Sequence, residues 1–165
     1  MSPAVQLRAP RPEDAPAAWR LVCATGVLDV NSGYAYCATF RHFGSTSVVA
    51  TADERLAGFV TAYRLPERQD VLFVWQVGVD ADFRGQGIAT RMLLWILEQS
   101  ACRFVRHIET TVTASNSPSR ALFRRLAQRL STDCQIGPGF GEPELGPDHE
   151  PEELFRIGPL HRSTP

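Results

Sequence analysis

The stretch "VWQVGVDADFRGQGIATRML", residues 74–93, passes through three patterns in quick succession. Val74, Trp75, Gln76, Val77, Gly78 and Val79 read as a strand. The chain then breaks at Arg84-Gly85-Gln86-Gly87, and from Ile88 onward apolar residues return at helical intervals through Met92, Trp95 and Ile96. A strand, a glycine-bearing turn and a helix in this order suit an anion. The first helical turn carries N–H groups without intrahelical partners, the dipole is positive there, and glycine lets a phosphate approach the backbone. The Gly-Lys-Ser/Thr of a P-loop is absent, and the turn does not follow a first strand as in the dinucleotide fingerprint. Taken alone, a Gly-x-Gly turn is also compatible with a plain tight connection.

The rest of the chain narrows the choice. Its 165 residues suit one domain, read here as residues 1–165, with 44% apolar and 21% charged residues. A net charge of −1 gives no basic excess for nucleic acid. No apolar run approaches a membrane span, and residues 1–6 lack the basic-then-apolar order of a leader. We therefore expect a cytoplasmic protein with neither nucleic acid nor membrane as partner. All 17 basic side chains are Arg, so no Schiff-base or P-loop lysine exists. Cys23, Cys37, Cys102 and Cys134 form no C-x-x-C pair, and the four His are scattered; no disulfide framework and no metal are expected.

Strands are expected over residues 5–8, 46–51, 56–63, 70–79, 107–112 and 153–157. Helices are expected from Pro12 to a stop at Gly26, over 32–43, over 86–100, and from Asn116 through Leu126. Residues 137–143, rich in Gly and Pro, are expected as loop. The order β-α-α-β-β-β-α-β-α-β-β describes a mixed α/β or α+β layer fold.

Arg84-Gly85-Gln86-Gly87-Ile88-Ala89, after a strand ending Val77-Gly78-Val79-Asp80, resembles the acetyl-CoA loop of the GNAT acyltransferase superfamily. So does the later unit Val112-Thr113-Ala114-Ser115-Asn116 with Ala121-Leu122-Phe123. The resemblance implies a GNAT fold: a mostly antiparallel sheet with splayed central strands and helices on both faces. It implies that Arg84, Gly85, Gln86, Gly87, Ile88, Ala89 and Thr90 hold the pyrophosphate of acetyl-CoA. Pantetheine would pair with the strand from Trp75 through Val77, Gly78 and Val79, an N–H near Val77 would hold the oxyanion, and Asn116 would bond the pantetheine arm. Phe123 stands at the cofactor position where the superfamily usually has a proton-donating Tyr.

A narrower resemblance spans nearly the whole chain. Gly26-Val27-Leu28-Asp29-Val30-Asn31-Ser32, Tyr34-Ala35-Tyr36, Arg41-His42-Phe43, residues 70–77, Glu109-Thr110-Thr111-Val112-Thr113, His149-Glu150-Pro151-Glu152 and residues 154–159 are similar to the L-2,4-diaminobutyrate acetyltransferases of ectoine biosynthesis. That family moves acetyl from acetyl-CoA to the γ-amine of diaminobutyrate. Such an acceptor needs carboxylates for its ammonium groups and donors for its carboxylate. Asp29, Asn31, Tyr34, Trp75, Glu109, His149 and Glu152 are the acceptor-site candidates. Asp29 also fits a helix N-cap, with Asn31 and Ser32 as rivals for that place. Trp75 fits either an apolar wall beside the acetyl group or the core. Glu109 fits either a general base in an apolar strand or a solvated edge position. The loop of His149, Glu150 and Glu152 either closes over the substrate or is exposed polar chain.

These readings combine into direct transfer in a ternary complex, with Glu109, Trp75 and His149 as catalytic candidates and a homodimer expected. Two other readings share the same features: an acetyltransferase for another small diamine or amino acid, and a non-catalytic acetyl-CoA sensor.

Overall fold

The computed structural model describes residues 4–161, which fall into two compact units. Met1–Pro3, part of the segment read for a leader, lie outside the described residues. No described helix is long and apolar enough to cross a membrane.

The first unit takes the chain up to Tyr63 and Val74–Arg103. A short strand β1 (Gln6–Arg8) leads through a 3-10 turn to α1 (Ala15–Thr25) and α2 (Gly33–His42). Ala15, Ala18 and Val22 recur at i, i+3 and i+7 on the buried side of α1, while Trp19 on another face is exposed. Gly26, at φ +66°, ends α1 in the left-handed conformation that glycine adopts without strain. Ser32 starts α2: its hydroxyl accepts the Ala35 N–H at 3.2 Å. The cap of this helix is therefore Ser32 and not Asp29. Strands β2 (Val48–Ala52) and β3 (Arg55–Leu65) form the expected hairpin around Asp53 and Glu54, both at positive φ as a two-residue primed turn requires. Phe59 of β3 takes edge-on contacts from Tyr36 and Phe40, with ring centroids 6.0 and 6.3 Å away, and the core closes around them with Leu21, Val22 and Val49. Strand β4 (Arg68–Val79) enters this unit at Val74, and α3 (Ile88–Glu98) follows the glycine turn, two residues later than expected.

The second unit takes Arg64–Phe73 and the chain from Phe104. The first half of β4 pairs in parallel with β5 (His107–Thr113) over Val71–Phe73, and β5 pairs antiparallel with β7 (Glu152–Ile157). Helix α4 (Ser117–Arg129) buries Leu122, Phe123, Leu126 and Ala127, two adjacent pairs one turn apart. The expected loop over 137–143 is corrected at its start. Gly137 and Pro138 close β6 (Cys134–Pro138), the first of the two strands expected after the last helix, which pairs antiparallel to β7. Proline is tolerated there because it is the last residue of an edge strand. Just after it, a Cβ at Gly139 would lie 2.5 Å from the Glu152 carbonyl oxygen, so the close approach to β7 needs glycine. A four-residue helix, α5 (Glu142–Leu145), occupies part of the remaining loop.

The strands are hydrogen-bonded in the order β1-β2-β3-β4-β5-β7-β6, a mixed seven-stranded sheet. The predicted element order holds, with α5 added.

Candidate active site

The loop of residues 84–90 has the geometry of an anion cradle. Gly85 and Gly87 sit at φ +74° and +71°, and a Cβ at either would meet no atom within 4 Å. The N–H groups of Ile88, Ala89 and Thr90 precede the first intrahelical bond, from Arg91 N–H to Gly87 O at 3.0 Å. The backbone is thus turned and open, which fits the pyrophosphate of acetyl-CoA. The approach to the loop is braced. Arg55 donates to Asp80 and Asp82 at 2.8 Å each, Asp80 accepts the Asp82 N–H at 3.0 Å, and Arg84 Nε donates to Val79 O at 3.2 Å. Ile88 is buried, Ala89 and Thr90 are half-buried, and Arg84 and Gln86 are exposed.

On β4 the alternation resolves the place of Trp75. Leu72, Val74, Gln76 and Gly78 are buried, whereas Phe73, Val77 and Val79 are half-buried and Trp75 is 38% exposed. Trp75 is not a core residue. Gly78 faces the core: a Cβ there would come 2.7 Å from Phe59 and 2.9 Å from Leu21. Gln76 is the polar exception on the buried side. The Tyr36 hydroxyl donates to its Oε1 at 2.9 Å, and its Nε2 donates to the backbone carbonyl of Asp29 at 2.8 Å. Asn31 Nδ2 reaches the same carbonyl at 3.5 Å. Asp29 is exposed, Asn31 half-buried, and Tyr34, in the first turn of α2, is 81% exposed.

In the second unit Glu109 is only 3% exposed and lies between β4 and β7, so it is not an edge position. Arg68 forks onto both of its oxygens at 2.8 and 2.9 Å, and Arg156 donates to Oε1 as well. Burial pushes the carboxyl upward, but the bonds from the two guanidinium groups outweigh it and hold Glu109 below its ordinary range. A carboxylate held ionised in this way is a weak base. The arrangement speaks against Glu109 taking a proton and for its anchoring two cations. Beside it, burial and the charge of Arg156 lower His107, whose Nδ1 is buried without a hydrogen-bond partner.

Asn116 caps α4, its Oδ1 accepting the Ser119 N–H at 3.2 Å. This leaves the amide N–H groups as its donors toward any ligand. The neighbouring Ser115 gives its N–H (2.9 Å) and its hydroxyl (2.6 Å) to the two oxygens of Glu150. That clamp ties the segment of His149 to the turn before α4. His149 and Glu152 are half-buried, and His149 Nδ1 lies 2.6 Å from the Glu150 carbonyl. Phe123 stands at the expected cofactor position on α4. It is 2% exposed, with its ring 6.5 Å from that of Phe155, and it serves the core.

Residues 15–127 match the Acetyltransferase (GNAT) family. The L-2,4-diaminobutyric acid acetyltransferase of Halalkalibacterium halodurans is 48% identical over 153 residues, covering 92% of this chain and 80% of that protein. This chain belongs to the diaminobutyrate acetyltransferases of the GNAT family. The corresponding Bordetella parapertussis protein is 46% identical over 156 residues, covering 93% and 84%. Among solved structures, the diaminobutyrate acetyltransferase EctA of Paenibacillus lautus, in complex with its substrate L-2,4-diaminobutyric acid and coenzyme A, is 40% identical. It matches at a TM-score of 0.92 over 99% of both chains. Ard1 from Thermoplasma volcanium, at 16% identity and a TM-score of 0.72 over 96% of this chain and 99% of its own, shares the fold alone.

Five side chains of this diaminobutyrate acetyltransferase-family chain have partners that the sequence does not display: Arg68 and Arg156 on Glu109, Tyr36 and Gln76 on each other, and Glu150, expected only as part of the loop with His149 and Glu152, as a clamp on Ser115. Only Gln76 left a signal, a long polar side chain on the buried phase of an apolar strand.

Proposed function

We propose that this protein, as one domain over residues 1–165, transfers the acetyl group of acetyl-CoA to the γ-amine of L-2,4-diaminobutyrate, in the synthesis of the compatible solute ectoine. The observation that carries this reading is the match along 99% of the chain to an enzyme holding diaminobutyrate and coenzyme A. The open glycine cradle at residues 84–90 supports it independently.

In this reading the γ-ammonium first gives up a proton to water or to His149, since Glu109 is committed to Arg68 and Arg156. The free amine attacks the thioester carbon, and strand β4 N–H groups near Val77 hold the developing oxyanion. The carbon–sulfur bond breaks once the carbon–nitrogen bond stands, the new amide nitrogen gives its extra proton to the departing sulfur or to water, and coenzyme A leaves as thiol or thiolate. Asp29 and Glu152 supply negative charge for the ammonium that is kept, Asn31 and Tyr34 complete acceptor recognition, and Trp75 gives an exposed aromatic surface. Asn116 bonds the pantetheine arm. The protein works in the cytoplasm as a homodimer.

Incubation with acetyl-CoA and L-2,4-diaminobutyrate, with the product identified by NMR, tests the reaction. The expected product carries the acetyl group on N4. Acetylation at the α-amine, or a clear preference for longer diamines, overturns the acceptor assignment. Acetyl-CoA binding without turnover over an amine panel means a sensor.

A further inference from the structure

Resting on the reading of Asp29 as an acceptor ligand, we propose that Gln76 and Tyr36 are positioning residues that set acceptor affinity by fixing the backbone of Asp29. Gln76 is 6% exposed and Tyr36 is fully buried. The Gln76 amide has one orientation that satisfies both neighbours. The Tyr36 hydroxyl donates to Oε1 and Nε2 donates to the Asp29 carbonyl; the flipped amide would set its oxygen against that carbonyl oxygen. Tyr36 therefore acts as a key that selects the amide orientation.

The two ends of this relay are secured separately. Gln76 is fixed along β4 by its own N–H, which donates to Thr61 Oγ1 at 3.1 Å. Tyr36 is fixed in α2 by its edge contact on Phe59. Asp29, by contrast, lies in the irregular segment between the end of α1 and the Ser32 cap of α2. A segment without regular backbone pairing takes its position from such side-chain bonds. Trp75 and Val77 flank Gln76 on the same strand, so one residue ties the acceptor segment to the strand assigned to the thioester.

The test is steady-state kinetics with each substrate varied in turn. Gln76→Leu removes both bonds and is expected to raise the KM for diaminobutyrate about tenfold, with the KM for acetyl-CoA changed roughly twofold or less. Tyr36→Phe keeps the ring and removes only the key, and is expected to give about a threefold rise in the acceptor KM. It serves as the independent probe if Gln76→Leu does not fold. In an Asp29→Asn background either change should add roughly twofold or less, because the carboxylate being positioned is already gone. An acceptor KM unmoved by both variants, a parallel rise in both KM values, or full multiplicative effects in the double variants overturn the proposal while leaving Asp29 in its role. An Asp29→Asn enzyme with an unchanged acceptor KM overturns the reading of Asp29 and the relay together.

Discussion

Gln76 in the first unit and Glu109 in the second are both buried polar side chains on sheet strands, and their surroundings satisfy them by different physics. Gln76 is neutral. It has one donor bond, one acceptor bond and a fixed amide orientation, so it conveys geometry at modest desolvation cost. Glu109 is ionised, and two guanidinium groups reaching in from partly exposed side chains offset its burial. The neutral pair ties down a loop that carries a candidate ligand. The charged trio ties β4, β5 and β7 to one another. The difference predicts a division of labour: changes to the first unit's polar groups move ligand constants, and changes to the second unit's move stability and its pH dependence.

The largest effect should come from Glu109→Gln. Removing one partner of a fully buried ion pair costs about 3–5 kcal/mol; here Arg68 and Arg156 reach water, so about 2–3 kcal/mol is expected, read by urea denaturation. The turnover number should be retained; its collapse would restore Glu109 as the base and erase the contrast. The pH dependence has a definite sign. The folded-state value of Glu109 lies below its ordinary 4.5, so its contribution is complete above that pH and is lost as pH falls toward the folded value. His107 is held below its ordinary 6.5, so the unfolded chain takes the proton first and stability already declines as pH drops through 6.5. Glu109→Gln should flatten the lower part of this acid limb and, because the Glu109 charge raises His107, make the His107 part deeper.

Next in size is Phe123→Tyr. The position is buried against Phe155, so a hydroxyl there has to find a partner inside or go without, at a cost of about 1–3 kcal/mol. Thermal melting should show the loss. General acid catalysis would raise turnover about 10²-fold or more. A gain of that size would mean that position 123 does reach the departing sulfur, and would make the second unit catalytic where we describe it as structural.

Gly87→Val probes the first unit's side of the contrast. Valine at φ +71° is strained, by about 1–3 kcal/mol, and its branched Cβ fills space that is open in the cradle. Calorimetric titration should show acetyl-CoA binding weakened about tenfold or more in a variant that still folds. Unchanged affinity would remove the loop from the cofactor site.

How much of this was legible beforehand follows from the range of each interaction. The glycine turn, the Gly26 stop and the hairpin at Asp53-Glu54 are local, and composition announces them. The cap of α2 was ambiguous among Asp29, Asn31 and Ser32 because all three side chains suit the job, and only the position of the Ala35 N–H separates them. Strand β6 is counted in the expected element order but not placed, because Gly and Pro at its end signal loop unless an edge position is known. Glu109 was visible as an acid in an apolar strand, but its partners stand 41 and 47 residues away, where no spacing rule reaches. The same holds for Tyr36 and Gln76, 40 residues apart. The sheet brings such pairs together by register, which a single sequence does not display.

The smallest expected effect is also the sharpest challenge to the division of labour, since it concerns a second-unit residue predicted to move a ligand constant. Glu150 is exposed, and both of its oxygens are taken by Ser115, which holds its carboxyl below the ordinary range. Water can replace either bond, so Glu150→Ala should leave the melting temperature nearly unchanged. What the clamp does is restrict the segment of His149 relative to the turn that precedes α4. With His149 and Glu152 in the acceptor roles proposed above, loosening it spreads them over more conformations and reduces the fraction competent for the acceptor. An increase of about two- to threefold in the KM for diaminobutyrate is expected, with Glu150→Gln intermediate because its amide oxygen still accepts one of the two bonds. A melting curve that falls with no kinetic change would make Glu150 a stability element like Glu109, and the contrast between the units would then extend to the surface. A rise in the acetyl-CoA KM instead would place the clamp's effect on Asn116, the cap residue next to Ser115, rather than on His149.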